Sequence, residues 1–260
     1  LYRVLAFYFL DSCGYPTVPC FIPLVYVSVH SSSVPSGASS AKYEALELRD
    51  GDDTRFQGQG VQGAVAHVNN ELSGLLVGRE VNDIRSLDQA MLDADGTENK
   101  SKMGANAILA VSLAAARAAA SAEKKPLWQF LHDYYFAQYS TGFPRLMVNV
   151  VNGGKHAQWN FDIQEFMIVP VSNKPTESTR IAAEIFAQLG KVLKKKGLST
   201  LVGDEGGYSP SLSSNNEVIE TIMSAASELG YNNGTEYQFA LDAAASEFFE
   251  NDGYVFKKEN

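Results

Sequence analysis

The first half of the chain carries the hydrophobic pattern of helices. Between residues 60 and 76, apolar side chains recur every three or four positions, which is the spacing of one helix face. Residues 83–92 repeat this spacing. Residues 104–124 are rich in alanine and carry four large apolar residues close together: Ile108, Leu109, Val111 and Leu113. This last segment therefore predicts a helix that is buried on more than one side.

A strand-forming segment precedes these helices. Residues 18–29 are rich in Val, Ile, Phe and Tyr, but Pro19 and Pro23 interrupt the run. Because proline cannot donate a backbone hydrogen bond, the segment predicts edge strands with irregular pairing. Together with the helices, it predicts a small α+β domain at residues 1–135.

The pattern changes after an aromatic and polar connector at residues 134–143. Short apolar runs at 146–151, 163–170, 200–205 and 239–243 predict strands, and residues 176–196 and 215–229 predict helices. This alternation predicts an α/β barrel of the TIM type at residues 136–260. Only about four strands fit, whereas such a barrel has about eight, so the barrel is expected to be incomplete and its edges unpaired.

Polar residues end or interrupt the predicted strands. In a barrel of this type, functional side chains cluster at the carboxyl ends of the strands, so these residues predict a site there. They are Asn149, Asn152, Gln164, Glu165, Asp204, Glu205 and Asp242.

Composition narrows the classes of function. The chain has 260 residues, 45% of them hydrophobic, which is enough for a sizeable core. Its formal net charge of −9 argues against a nucleic-acid partner, because phosphate backbones are held by clustered Lys and Arg. The basic run at residues 194–196 is interpreted as the solvated end of a helix. A nucleic-acid patch there is the weaker alternative.

The apolar first thirty residues fit neither a membrane span nor a signal peptide. Asp11, Gly14 and Pro16 leave an apolar run that is shorter than the ~20 residues a bilayer requires. Cys13 and Cys20 are interpreted as reduced thiols, with a disulfide between them as the alternative. Because the sequence begins at Leu1, it is expected to be a fragment of a longer product, although processing could also produce this start.

The strongest chemical motif is the run Gly203-Asp204-Glu205-Gly206-Gly207 after a predicted strand. Its glycines permit a sharp turn or a close approach to a ligand, and its carboxylates can act as acid, base or metal ligand. An acidic surface turn is the alternative.

Two further acids lie in apolar surroundings. Asp242 follows an apolar run and is flanked by small residues, where a buried carboxylate would need a partner such as Mg²⁺. The alternative is a carboxylate that caps a following helix. Glu165 lies in a similar apolar run. It is predicted either to act as a functional acid or to form a structural salt bridge with a buried partner.

Two glycine-containing loops add polar groups. Residues 36–40 (SGASS) offer hydroxyls that suit an anion or the coordination shell of a metal, although this loop composition is common. Residues 152–156 place Lys155 and His156 after a turn, where they could contact a phosphate. A single histidine is more often structural or exposed than catalytic.

Nine separated segments, taken in order, resemble the enolase family. They cover nearly the whole chain: LDS-GPT (10–17), VPSGAS (34–39), YEALELRDGD (43–52), DGTENKSK (95–102), GANAIL (104–109), VNGGKHA (151–157), QEFMIVP (164–170), GDEGG (203–207) and LDAAASEFF (241–249). The GDEGG and SGAS segments argue against a different lyase or a racemase of the same superfamily. Such relatives share the barrel fold more than they share these sequence motifs.

The resemblance implies a role for each matched residue. Glu205 matches the proton donor that helps hydroxide leave, and Glu165 matches its acidic partner, which is also in contact with substrate. His156 and Gln164 match residues that line the substrate pocket. For the two Mg²⁺ ions of a complete site, Asp242 matches a ligand of the first ion and Ser39, on a mobile loop, a ligand of the second.

The implied activity is the Mg²⁺-dependent dehydration of 2-phosphoglycerate to phosphoenolpyruvate in the cytoplasm, and an additional presence at the cell surface stays open. No membrane or nucleic-acid partner is expected. The family's other two metal carboxylates and its catalytic lysine have no match within the 260 residues, so this chain alone is expected to be inactive. The alternative is a non-catalytic binding or surface module derived from an enolase.

Departures from the family pattern affect two expectations. The family forms a homodimer, but its usual Arg, Asn and Glu are here Cys13, Tyr15 and Pro19, which puts the usual interface in question. Ala157, Gln158 and Trp159 replace the small and polar residues expected after the loop histidine, which could alter loop closure.

Overall fold

A computed structural model describes residues 1–24, 28–37, 41–157 and 159–258. Two compact units are present, the first formed by Leu1–Gly37 with Tyr43–Thr141 and the second by Gly142–Asn260. The first is an α+β unit and the second is an incomplete α/β barrel, as the sequence predicts.

Among its described residues, the first unit contains a four-stranded antiparallel sheet and five α-helices. The strands are β1 (Leu5–Ala6), β2 (Phe9–Leu10), β3 (Pro16–Pro23) and β4 (Val29–Val34), and the helices are α1 (Gln62–His67), α2 (Ser73–Leu76), α3 (Ile84–Asp95), α4 (Ala105–Ala122) and α5 (Leu127–Tyr135). The sequence pattern gave no indication of α5, which is short and largely aromatic.

The prediction that residues 18–29 form edge strands is wrong, because β3 is the central strand of this sheet. It pairs with β4 on one side and with both β1 and β2 on the other. Pro19 lies opposite the gap between β1 and β2, where this second ladder is interrupted. A proline is therefore accommodated within a central strand at a point that lacks a partner on one side.

Burial also explains the two cysteines. Both are free thiols, with Cys13 exposed and Cys20 buried. Desolvation in the core raises the pKa of Cys20 to about 12, so this thiol stays protonated and unreactive. The prediction of unpaired thiols is confirmed, and the alternative of a disulfide between them is wrong.

Helix α4 is the core helix of the first unit. Ile108 and Val111 are buried as predicted, whereas Leu109 and Leu113 are about half exposed. The helix is long and apolar enough to cross a membrane by length and composition, but 61% of it is buried within the unit. That burial is the pattern of a core helix.

Helices α1 and α2 are joined through a π-helical turn at Val68–Leu72. Every third or fourth residue of this continuous segment is buried, as the sequence spacing predicts: Val61, Ala64, Val68, Leu72 and Leu76. The side chain of Asn69 in this turn pairs with the backbone N–H and C=O of Ala6, at 2.8 and 2.9 Å, and so ties the helix to β1.

In the part that the structure describes, the second unit contains two α-helices and a three-stranded antiparallel sheet of order β5-β6-β7. The elements are β5 (Val148–Asn152), β6 (Glu165–Pro170), α6 (Pro175–Lys195), α7 (Asn215–Ser227), β7 (Tyr237–Asp242), and a small hairpin of β8 (Phe249–Glu250) and β9 (Gly253–Tyr254). Among the described residues this sheet does not close into a barrel.

Packing and capping explain both helices. Buried residues of β6, α6 and α7 form one apolar cluster that includes Ile168, Leu189 and Ile222. Helix α6 has Pro175 in its first turn, and α7 is capped by Ser214, whose hydroxyl accepts from the N–H of Glu217 at 3.1 Å.

The prediction of a strand at residues 200–205 is wrong. This segment forms only an isolated bridge, in which Val202 pairs with Tyr208. Tyr208 in turn is bound to β5, because its N–H donates to Val150 and its carbonyl accepts from the N–H of Asn152. The glycine-rich segment therefore forms a turn at the edge of β5, since a run so rich in glycine has few side chains to pack as a strand.

Candidate active site

Three polar residues form a row across one end of the sheet in the second unit. Asn152, the last residue of β5, lies opposite Glu165, the first residue of β6, and Glu165 lies opposite Asp242, the last residue of β7. Because β6 is antiparallel to both β5 and β7, its first residue lies at the same end of the sheet as their last residues. Residues directly opposite each other point to the same face, so the three side chains are neighbours.

His156 reaches this edge from the short 3₁₀ turn Gly154–Ala157 that follows β5. Its side chain is only 3% exposed, and its Nδ1 lies 3.8 Å from Oε1 of Glu165. Neither ring nitrogen has a hydrogen-bond partner among the described residues. The histidine is therefore buried but keeps both nitrogens available.

The glycine-rich turn at residues 203–207 brings Glu205 to the same place. The turn is closed by the N–H of Gly203, which donates to Gly207 at 2.8 Å. A Cβ at Gly203 would lie 2.3 Å from Nδ2 of Asn152 and 2.7 Å from the carbonyl oxygen of His156. Only glycine permits this approach.

The result is a cluster of three chemically active side chains. One ligand atom from each of His156, Glu165 and Glu205 lies within 4.8 Å of the other two. His156 is buried, Glu165 is half-buried and Glu205 is exposed. The alternative for this motif, an acidic surface turn, accounts for the exposure of Glu205. It does not account for the closeness of Glu205 to His156 and Glu165.

The electrostatics of the cluster favour a protonated Glu165. Burial raises the pKa of this carboxyl, and the negative charges of Asp242 and Glu205 raise it further, while His156 acts in the opposite direction. A carboxyl that keeps its proton at a higher pH than usual can serve as a general acid.

Several buried polar atoms around this edge lack hydrogen-bond partners in the described chain. They are Oδ1 of Asn149, Nδ2 of Asn152, both ring nitrogens of His156 and Oε1 of Gln164. A buried polar atom left without a partner costs about 1–3 kcal/mol, so a group of them indicates a surface that a ligand or water completes.

The structure corrects the expectation for Asp242. Its side chain is exposed, whereas the apolar sequence around it predicts burial. Its Oδ1 accepts a hydrogen bond from the N–H of Ala244 at 2.9 Å, just before the 3₁₀ turn Ala245–Phe248. The N-cap of that turn is Ala244 and no side chain caps it, so the capping alternative is wrong. The hydrogen bond from Ala244 occupies one carboxylate oxygen of Asp242 and leaves the other for a ligand. Ser39, matched to the second ion, lies outside the described residues.

The donor set suits a divalent cation. Asp242 and Glu165 present carboxylate oxygens side by side on adjacent strands, and Mg²⁺ takes oxygen ligands with only one or two protein carboxylates. Burial is the main cause of the raised pKa of Glu165, and the negative charges of Asp242 and Glu205 add a repulsion that a cation would relieve. Asp242 is the exposed member of this pair and is the residue that would hold the ion.

An α+β unit followed by an incomplete barrel, both matched by family models of enolase domains, indicates a lyase of the enolase superfamily. The family model of the enolase N-terminal domain matches residues 1–131, and that of the enolase C-terminal TIM barrel domain matches residues 140–260. The chain belongs to the enolase family.

The sequence analysis places Asn152 among the polar residues that predict a site at the strand ends, but it gives this residue no specific role. Its position at the end of an apolar run and before two glycines could have indicated one. In the structure it is fully buried, it accepts a hydrogen bond from Nδ2 of Asn149, and it supports the turn that carries Glu205. Its contacts with Gly203 and Gly207 join residues distant in sequence, which no local pattern reports.

Proposed function

We propose that this chain supplies the leaving-group side of the active site that dehydrates 2-phosphoglycerate to phosphoenolpyruvate. The observation that carries the proposal is the contact between Glu165, whose pKa is raised, and Glu205, which adds negative charge beside it. Elimination of water needs an acid where hydroxide leaves, and two neighbouring carboxyls that share negative charge retain a proton for this purpose.

In the proposed reaction, Glu205 donates a proton to the departing hydroxyl group, and Glu165 holds and shares that proton. The carbon–oxygen bond breaks and its electron pair leaves with the oxygen, which departs as water. The electron pair of the neighbouring carbon–hydrogen bond forms the new carbon–carbon double bond, and its proton goes to the family's catalytic lysine, which has no match within these 260 residues. His156 and Gln164 orient the substrate, because both carry buried polar atoms that lack partners in the described chain. Asn152 keeps the turn of Glu205 in position.

Two Mg²⁺ ions are proposed as cofactors, with Asp242 as a ligand of the first and Ser39 as a ligand of the second. Bound Mg²⁺ would supply positive charge against the negative charge that develops when a proton is removed beside a carboxylate. The exposure of Asp242, whose hydrogen bond from Ala244 engages one of its two carboxylate oxygens, supports this assignment.

A chimera tests the proposal. Residues 1–260 would be joined to the remaining barrel strands of a characterised enolase, and formation of phosphoenolpyruvate would be followed by its ultraviolet absorbance. We expect turnover, and we expect Glu205→Gln to lower kcat by about 10²–10⁴-fold, as for other general acids.

Glu220→Gln is the matched control, since this exposed glutamate lies on α7 and, in the described part of the chain, its one side-chain partner is Asn216. Equal activity of the two variants would contradict the role of Glu205. A folded chimera without turnover, checked by circular dichroism, would favour the non-catalytic module.

A further inference from the structure

We propose that His156, Glu165 and Glu205 form a binding site for a transition-metal ion of the Zn²⁺ type. This site is separate from the magnesium ligand proposed at Asp242. It rests on a cluster that lies within the second unit and whose histidine is buried without hydrogen-bond partners among the described residues.

The geometry is close to that of a bound ion. Ligands about 2.1 Å from Zn²⁺ in a tetrahedral site lie about 3.4 Å from one another. Nδ1 of His156 and Oε1 of Glu165 are 3.8 Å apart, and all three ligand atoms lie within 4.8 Å of each other. His156 is fixed by burial, whereas Glu205 is exposed and can move the remaining distance.

The chemistry of the ligands selects the type of ion. One imidazole with two carboxylates suits Zn²⁺, which binds His nitrogen and Asp or Glu oxygen with few ligands. Mg²⁺ prefers oxygen ligands and retains several waters. A buried imidazole is therefore a poor ligand for Mg²⁺. An ion with high affinity for nitrogen is therefore expected to bind here even when Mg²⁺ is in excess.

Other histidines in the chain provide a contrast. His67 pairs with Glu71 across one turn of a helix at 3.3 Å, and Glu71 is half exposed. His132 contacts Asp133 and the carbonyl oxygen of Tyr139 near the surface. Such pairs offer one carboxylate, whereas His156 has two within reach. Affinity should therefore concentrate at His156.

Occupation of this site has a consequence that rests on the proposed function. An ion bound to Glu205 takes up the lone pairs that would otherwise hold the transferable proton. Zn²⁺ at this position would thus inhibit dehydration while leaving Asp242 free. Binding of the ion itself does not depend on turnover, so it can be measured separately.

The experiment titrates the 260-residue chain with Zn²⁺ by calorimetry in excess Mg²⁺ and records the visible absorption of Co²⁺ as a substitute ion. We expect one tight site, with His156→Ala weakening Zn²⁺ binding by about tenfold or more and removing the Co²⁺ bands. Glu205→Gln, on an exposed turn where folding is not at risk, should also weaken binding. His67→Asn and Asp242→Asn should retain it.

Zn²⁺ affinity that is unchanged in both His156→Ala and Glu205→Gln would overturn the proposal, as would its loss in His67→Asn. Binding that depends on Asp242 as strongly as on His156 would also overturn it, because the two sites would then be one. None of these outcomes bears on whether Glu205 acts as the acid, which the kcat of the chimera decides.

Discussion

Glu165 on β6 and Asp242 on β7 lie directly opposite each other, so two carboxylates share one face at the same level of the sheet. Like charges in this position destabilise a sheet. The arrangement is therefore unfavourable for the fold, and it becomes favourable only when a cation or a proton is present. Perturbed carboxyls of this kind cluster at functional sites, so the pair supports the proposed site at this end of the sheet.

The stability of the second unit should depend on pH through Glu165. The pKa of this carboxyl is raised in the folded state, so its contribution to stability is present below the ordinary glutamate pKa of about 4.3 and is lost as pH rises. Glu165→Gln should raise the free energy of unfolding at neutral pH by a few tenths to about 1 kcal/mol, and by less near pH 4. Urea unfolding measures this, with Glu220→Gln as the control. A variant that is equally or less stable at neutral pH would contradict the expected repulsion.

Asp95 should give the opposite pH dependence in the first unit. Burial acts to raise the pKa of Asp95, but hydrogen bonds from Thr97 and from the N–H of Met103 outweigh it and hold the pKa below its usual range. The stability from this carboxylate is present above the ordinary aspartate pKa of about 3.9 and is lost as pH falls.

Asp95→Asn should therefore lower the free energy of unfolding by about 1–3 kcal/mol at neutral pH, and the difference should shrink towards pH 3. The exposed Asp93 on the same helix accepts a hydrogen bond from Gln89 and provides the control Asp93→Asn. A loss that is the same at every pH would show that size and shape matter at this position rather than charge.

Close packing at Gly203 should make alanine costly there. A Cβ would meet Asn152 and the backbone of His156, so Gly203→Ala should destabilise the chain by about 1–3 kcal/mol and displace Glu205. Gly142→Ala is the control, because nothing lies within 4 Å of a Cβ at that position. Thermal unfolding of both variants measures the difference. Equal melting temperatures would mean that the turn moves away without cost.

The 260-residue chain by itself should neither turn over 2-phosphoglycerate at a useful rate nor bind Mg²⁺ tightly. The family resemblance assigns it one metal carboxylate, Asp242, with the hydroxyl of Ser39, and Mg²⁺ demands a nearly ideal octahedral shell. The open edges of its three-stranded sheet also invite association. Phosphoenolpyruvate absorbance with excess Mg²⁺ tests the activity. Clear turnover, free of host enolase, would contradict this expectation.

Local patterns predicted the helices of the second unit well. A helix is predicted at residues 176–196, and the structure has one at Pro175–Lys195. The signals for this helix are the apolar spacing, a proline near its start and basic residues in its last turn, and all of them lie in the local sequence. The apolar runs at 163–170 and 239–243 likewise predicted β6 and β7.

Non-local relationships could not be predicted in this way. The direction of β6 relative to β5 and β7 is a property of pairing, and this direction places Glu165 at the beginning of its strand rather than at its end. The exposure of Asp242 likewise depends on what packs around the edge, while its own neighbours in sequence are small and apolar. Family motifs selected the acids, but only the register shows which of them are adjacent.

The reversed direction of β6 also separates the parts of the chain that can be engineered from those that cannot. This strand begins at the end of the sheet that carries the acids. It finishes at Pro170, at the opposite end of the sheet, where an exposed connection of residues 171–174 follows. A reporter domain could be inserted there and read out without crowding the carboxylates. The same insertion at residues 153–164 would separate His156 from Glu165.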